Sequence, residues 1–68
     1  MHNLKHKVEA VLFTTGKFLT AEEISNLSGL SNEEVIQGIS LLFEDYSNRD
    51  TSLEIIKLGD KYKLNIKK

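Results

Sequence analysis

Two helix-start signatures, eleven residues apart with a glycine turn between them, constrain the fold of this chain more than any other feature. Thr20 with Glu23, and Ser31 with Glu34, each set a hydroxyl three positions ahead of a glutamate at the head of an apolar-periodic run. In such a box the hydroxyl accepts from an orphan backbone N–H, and the glutamate reaches back to the N–H of the hydroxyl residue. Between the boxes lies Ser28-Gly29-Leu30, a tight turn in which Gly29 is free to take a positive φ. Two short helices joined this way read as a helix-turn-helix. Ile24 and Leu27 are expected to bury the first of them, and Leu30 to plug the turn.

The flanking sequence completes the architecture. Leu4, Val8, Val11, Leu12 and Thr15 share one arc at helical spacing, which predicts a helix from about Asn3 to Thr15. Gly16 then stands where a left-handed cap belongs. Phe18-Leu19 suits a minimal strand or an extended link. The second box opens a helix from about Asn32 to Ser47 whose Val35, Ile36, Ile39, Leu42, Phe43 and Tyr46 are expected to form its core face. After it the period changes. Leu53–Leu58 and Lys61–Ile66 flank Gly59-Asp60, a pair suited to a two-residue hairpin turn with glycine first. Tyr62, Leu64 and Ile66 alternate with Lys61, Lys63, Asn65 and Lys67, giving the last strand one wet face. The fold class is therefore α+β: a winged helix, with three helices including the helix-turn-helix and then a β-hairpin wing. Residues 1–68 are expected to form a single domain without repeat, linker or low-complexity tract.

Charge is where this scaffold departs from its usual use. Residues 18–48 contain six carboxylates and no Lys, Arg or His, while the remainder carries nine bases and four acids, so the two parts stand at −6 and +5. A DNA-reading helix needs Lys or Arg to neutralise phosphate, and an acidic one is repelled by the groove. Asn32 and Gln37 are chemically able to read adenine, but no phosphate anchor stands beside them. The cations Lys57, Lys61, Lys63, Lys67 and Lys68 lie on or after the hairpin. Two readings stand for them: backbone contacts to nucleic acid through Lys57, Lys61 and Lys63, or ordinary protection of an edge strand against aggregation.

Catalysis finds no footing in the sequence. There is no Ser/His/Asp constellation and no phosphate-cradling glycine loop. The acidic pairs Glu22-Glu23, Glu33-Glu34 and Glu44-Asp45 are sequence neighbours, which do not face one another on a helix. With no cysteine and two histidines the chain cannot assemble a usual four-ligand zinc site; His2 and His6 read as a surface pair, and no metal or cofactor is expected. No apolar run approaches the roughly 20 residues of a membrane span, and the N-terminus does not read as a signal peptide. An intracellular location is expected. A chain this short buries only about 60% of its unfolded surface, which favours dimerisation or docking on a partner.

Some apolar residues remain once these core faces are assigned. Phe13 lies roughly opposite Leu4, Leu41 lies off the third-helix arc, and Leu53 and Ile55 have the opposite parity to Ile56 and Leu58. Gly38 sits mid-helix, where it costs roughly 1 kcal/mol against alanine and implies close approach by another segment. Phe13, Gly38, Leu41, Leu53 and Ile55 are the candidate protein-interface residues. The alternative is that Phe13 covers Phe18, a bulge reconciles the strand parity and Leu41 is simply exposed.

Glu9-Ala10-Val11-Leu12-Phe13, Gly16, Leu19-Thr20, the acidic third helix and Tyr62-Lys63-Leu64 together resemble the N-terminal winged helix of segregation and condensation protein B (ScpB). The resemblance spans nearly the whole chain, through motifs that mostly bear the fold. It departs at Phe18, where the family often has Pro, and at Asp60-Lys61, where it often has Gly-Gly. The resemblance implies an accessory subunit of an SMC–kleisin chromosome-organising complex, nucleoid-associated in the cytoplasm. In that family the N-terminal domain mainly supports homodimerisation, and a second winged helix engages the kleisin. The expected function is a non-catalytic interaction and dimerisation module in chromosome condensation and segregation, with any DNA contact weak or indirect. The alternative is a small DNA-binding regulator using the third helix and the basic wing.

Overall fold

Helix α1 spans Leu4–Thr15 and closes on Gly16, whose N–H returns to the Leu12 carbonyl. The computed structural model describes residues 3–67. A two-residue strand β1, Leu19–Thr20, leads into α2, Ala21–Ser28, and α3 follows at Asn32–Asn48. Both capping boxes are formed. Thr20 Oγ1 accepts from the Glu23 N–H at 3.1 Å while Glu23 Oε1 accepts from the Thr20 N–H at 2.9 Å. The second box repeats this with Ser31 and Glu34 at 3.1 and 3.0 Å. The bond from Thr20 N–H holds the Glu23 carboxyl below the usual carboxylate range, with a smaller pull from the Lys61 ammonium. Gly29 caps α2 at φ 78°, a conformation that a Cβ disfavours. The Ser25 hydroxyl donates across the turn to the Leu30 carbonyl, so the turn is tied at both ends.

Strands β2, Leu53–Leu58, and β3, Lys61–Ile66, form the wing. Gly59 has φ 63° and Asp60 has no positive φ, which is the glycine-first type II′ pattern. The sheet is antiparallel in the order β1-β3-β2. Leu19 opposite Tyr62 ties the helix-turn-helix to the wing, and Ile55 opposite Leu64 sets the hairpin register. The core is one cluster: Val8 and Leu12 of α1, Leu19, Ile24, Leu30, four α3 residues (Val35, Ile39, Leu42, Tyr46) and Ile55 of β2.

Four expectations are corrected by this packing. Leu27 is 60% exposed, because the short α2 turns Ile24, with Ala21 beside it, toward the core. Ile36 and Phe43 are 45% and 40% exposed, since so small a core fills only the centre of the α3 arc. Ile55, placed among the surplus residues, is buried at 8%, and Leu53 packs partly against the core; Leu58 of the opposite parity is 64% exposed. The ladder is regular and needs no bulge: Leu19 fixes which side of β3 faces inward, and the register passes that choice to β2.

Candidate protein-interaction surfaces

The third helix reaches α1 across Gly38. A Cβ built there would meet Val8 Cγ2 at 2.7 Å and the Leu4 carbonyl oxygen at 2.9 Å. The close approach expected from a mid-helix glycine is therefore made by α1 of the same chain. Gly38, like Ile55, lies inside the fold and is not available as a free interface position. Beside this apolar seam runs a polar one. The Tyr46 hydroxyl donates to Glu9 Oε2, and Asp45 receives Arg49 at 2.9 Å and Lys5 at 3.8 Å. Arg49 also lies over the Tyr46 ring at 5.9 Å. Burial, then the bond to Glu9, pushes the Tyr46 hydroxyl well above the ordinary phenol value.

With one side of α1 locked on α3, its outer side is left bare. Phe13 there is 72% exposed. On one flank a hollow of about 290 Å³ lies between Ala10, Thr14 and Leu27. On the other, a hollow of about 390 Å³ lies between His6, Ala10, Phe13 and Leu53. A third, of about 170 Å³, continues past Phe13 to Leu64 and Ile66. The structure thus joins Phe13 and Leu53 into one apolar face and adds Leu27 and Ile66, which the sequence reading had placed elsewhere. Phe13 does not fold back over Phe18; the Phe18 ring instead carries the Lys63 ammonium at 5.6 Å. Leu41 stands apart, 41% exposed, in a hollow of about 480 Å³ with Leu4, Gln37 and Glu44.

A further exposed strip of α3 carries Ile36, Ser40, Phe43 and Ser47, and no cation stands anywhere on that helix. Asn32 and Gln37 are exposed without a phosphate anchor on their own helix. Of the wing lysines, Lys57 is exposed, Lys61 is partly answered by Glu23 and Lys63 lies against Phe18. His6 Nδ1 accepts from Asn3 Nδ2 at 2.7 Å; His2 and Lys68 lie outside the described residues. Among the described residues no cluster of three metal-ligating side chains occurs, and no helix is long and apolar enough to cross a membrane.

Comparison with known proteins follows the same lines. The family model for segregation and condensation complex subunit ScpB matches residues 6–68. A curated segregation and condensation protein B from Clostridioides difficile (strain 630) is 30% identical over 64 residues, covering 91% of this chain and 36% of its own length. The chain thus spans about a third of that relative. A solved structure, a dimer of the ScpB N-terminal domain complexed with a ScpA peptide, superimposes with a TM-score of 0.81. It shares 29% sequence identity, over 94% of this chain and 80% of that one. The chain belongs to the ScpB family of segregation and condensation complex subunits.

Proposed function

We propose that this chain is the dimerising, partner-binding winged helix of an SMC–kleisin accessory subunit. It has no catalytic role, and it acts in chromosome condensation and segregation, nucleoid-associated in the cytoplasm. A second copy packs on the outer face of α1, and the pair engages a segment of the kleisin. One observation carries this reading: Phe13 projects at 72% exposure between two largely apolar hollows of about 390 and 170 Å³, both of which it lines. A knob beside a hole suits a two-fold pairing, in which each copy places its knob in the other's hole. Full burial of a phenylalanine is worth about 1.5–3 kcal/mol, and two are buried per dimer. The small Ala10 and Thr14 beside it let a second α1 come close.

The relatives support this, since the solved N-terminal domain is itself a dimer complexed with a ScpA peptide. The alternative, a DNA-binding regulator, draws support from Lys57, Lys61 and Lys63 but not from α3, whose outward face is uncharged or acidic. Sedimentation equilibrium at micromolar concentration tests the proposal. The wild-type chain is expected to be dimeric, and Phe13→Glu monomeric with an unchanged circular dichroism spectrum, because Phe13 adds little to the core. A monomeric wild-type chain overturns the dimer.

A further inference from the structure

The wing has an open edge of defined polarity. In an antiparallel ladder, opposed residues are alternately hydrogen-bonded and non-hydrogen-bonded pairs. The Lys67 N–H donates to the Ser52 carbonyl at 2.6 Å, and this sets the phase for the whole hairpin. Glu54 with Asn65, Ile56 with Lys63 and Leu58 with Lys61 are then bonded pairs. Leu53, Ile55 and Lys57 consequently turn their N–H and C=O groups away from β3. Leu53 agrees with this phase, for its N–H meets Thr51 Oγ1 at 3.2 Å. Ile55 and Lys57 therefore point their backbone groups along the free edge of β2, beyond which no strand lies among the described residues.

The side chains along that edge give it a preference. On the outer face of the sheet stand Ile56 and Leu58, the latter 64% exposed, with Lys63 and Lys61 opposite them on β3. On the other parity, exposed Lys57 follows buried Ile55. The one carboxylate on β2, Glu54, is occupied by Asn65 Nδ2 at 2.9 Å. A strand added here would lay alternate side chains against Ile56 and Leu58, and the residues between them beside Lys57.

The geometry points to the β2 edge as a docking site for an extended, acidic-apolar segment of a protein partner, bound by strand addition. Backbone bonds to Ile55 and Lys57 supply affinity, and the alternating neighbours supply selectivity. Apolar residues of the guest cover Ile56 and Leu58, and the carboxylates between them, on the other face, answer Lys57. This rests on the reading of the chain as a partner-binding module and assigns one surface for the partner, distinct from the α1 face given to the second copy. It also gives the exposed Lys57 of the wing a counterpart, although α3 reads no phosphate.

Three probes separate the occupants: a synthetic peptide alternating valine and glutamate, its twin alternating valine and lysine, and a short DNA duplex. Binding is followed on the wild-type chain by amide NMR and anisotropy. The acidic peptide is expected to shift the Ile55 and Lys57 amides and slow their hydrogen exchange, and the basic twin to do neither. Lys57→Pro removes one outward N–H without breaking a ladder bond, a position at which an edge strand tolerates proline. It should weaken the acidic peptide by about tenfold, whereas Lys57→Ala, which keeps the N–H, should weaken it less. If Lys57→Pro lowers the folded yield, the wild-type amide shifts decide. Equal binding of both peptides, shifts confined to α1, or binding of the duplex alone overturns the inference; so does concentration-dependent protection of these amides without peptide, which marks β2 pairing with a second copy. Sedimentation of the same samples keeps the proposals apart: a monomer that binds the acidic peptide at β2 removes the α1 dimer and leaves the edge site, and a dimer with no edge shift does the reverse.

Discussion

Gly38→Ala tests the seam on which the molecule is assembled. Alanine is ordinarily the better helix residue by roughly 1 kcal/mol, so propensity alone predicts stabilisation. The packing opposes it. The new methyl would lie 2.7 Å from Val8 Cγ2 and 2.9 Å from the Leu4 carbonyl oxygen, against an ordinary contact of 3.4–4 Å. Neither neighbour can step aside: Val8 is fully buried and, being β-branched, held to one helical rotamer, and the Leu4 oxygen belongs to the α1 backbone. The strain is relieved only by moving α1 away from α3, which loosens Val8 and Leu12 against Val35, Ile39 and Leu42. Overpacking of this kind costs about 1–3 kcal/mol, which leaves a net loss of about 1 kcal/mol after the propensity gain. In a domain of this size that lowers Tm by about 4–8 °C. Thermal unfolding by circular dichroism reads it directly. A double cycle with Val8→Ala should show a coupling of at least about 0.5 kcal/mol, because the smaller side chain gives the methyl room. A rise in Tm for Gly38→Ala would refute the close approach.

Other expectations are more local. Tyr46→Phe removes a hydrogen bond to a carboxylate and should cost about 1.5–3 kcal/mol, less whatever solvent returns to the half-buried Glu9. The raised Tyr46 value also fixes a sign: above pH ~10 the unfolded chain loses this proton while the folded chain keeps it. Stability present below that pH is therefore lost as pH climbs, and the alkaline fall in Tm should be shallower in Tyr46→Phe. Ser31→Ala opens the α3 box and should cost about 1 kcal/mol in a denaturant titration. A cost as large as that of a core truncation would mean that the box supports more than its own helix end.

The elements were legible in the sequence because each is specified locally. Thr20, Glu23, Ser31 and Glu34 close their own helix ends, and Gly59-Asp60 sets a hairpin whose turn admits one register. What needed the third dimension was direction. LEIIKL offers apolar residues on both parities, and only the Leu19–Tyr62 pairing, a contact between distant segments, decides that Ile55 faces in. Ile36 and Phe43 share the α3 arc with Val35 and Ile39, but periodicity does not say how wide a core stands opposite. Leu27 was misplaced for the same reason. Gly38 showed in the sequence that something comes close; it did not show whether the visitor was α1 or another molecule. Of the interface residues, Phe13 was readable as an apolar residue on the wrong side of α1, whereas Ile66 and Leu27 became part of its face only once the helices had packed.

The two closed capping boxes have a consequence for how such a module changes over generations. Because α2 and α3 cap their N-termini with their own side chains, the outward residues of α3 have no part in closing that helix end. Ile36, Ser40, Phe43 and Ser47 are thus free to drift in charge, and the same backbone can be addressed to a different class of partner without being rebuilt. Replacing them with arginine would recreate a groove-reading helix on an unaltered scaffold. The apolar and hydroxyl-bearing surface seen here is one setting of a face that the fold leaves open to selection.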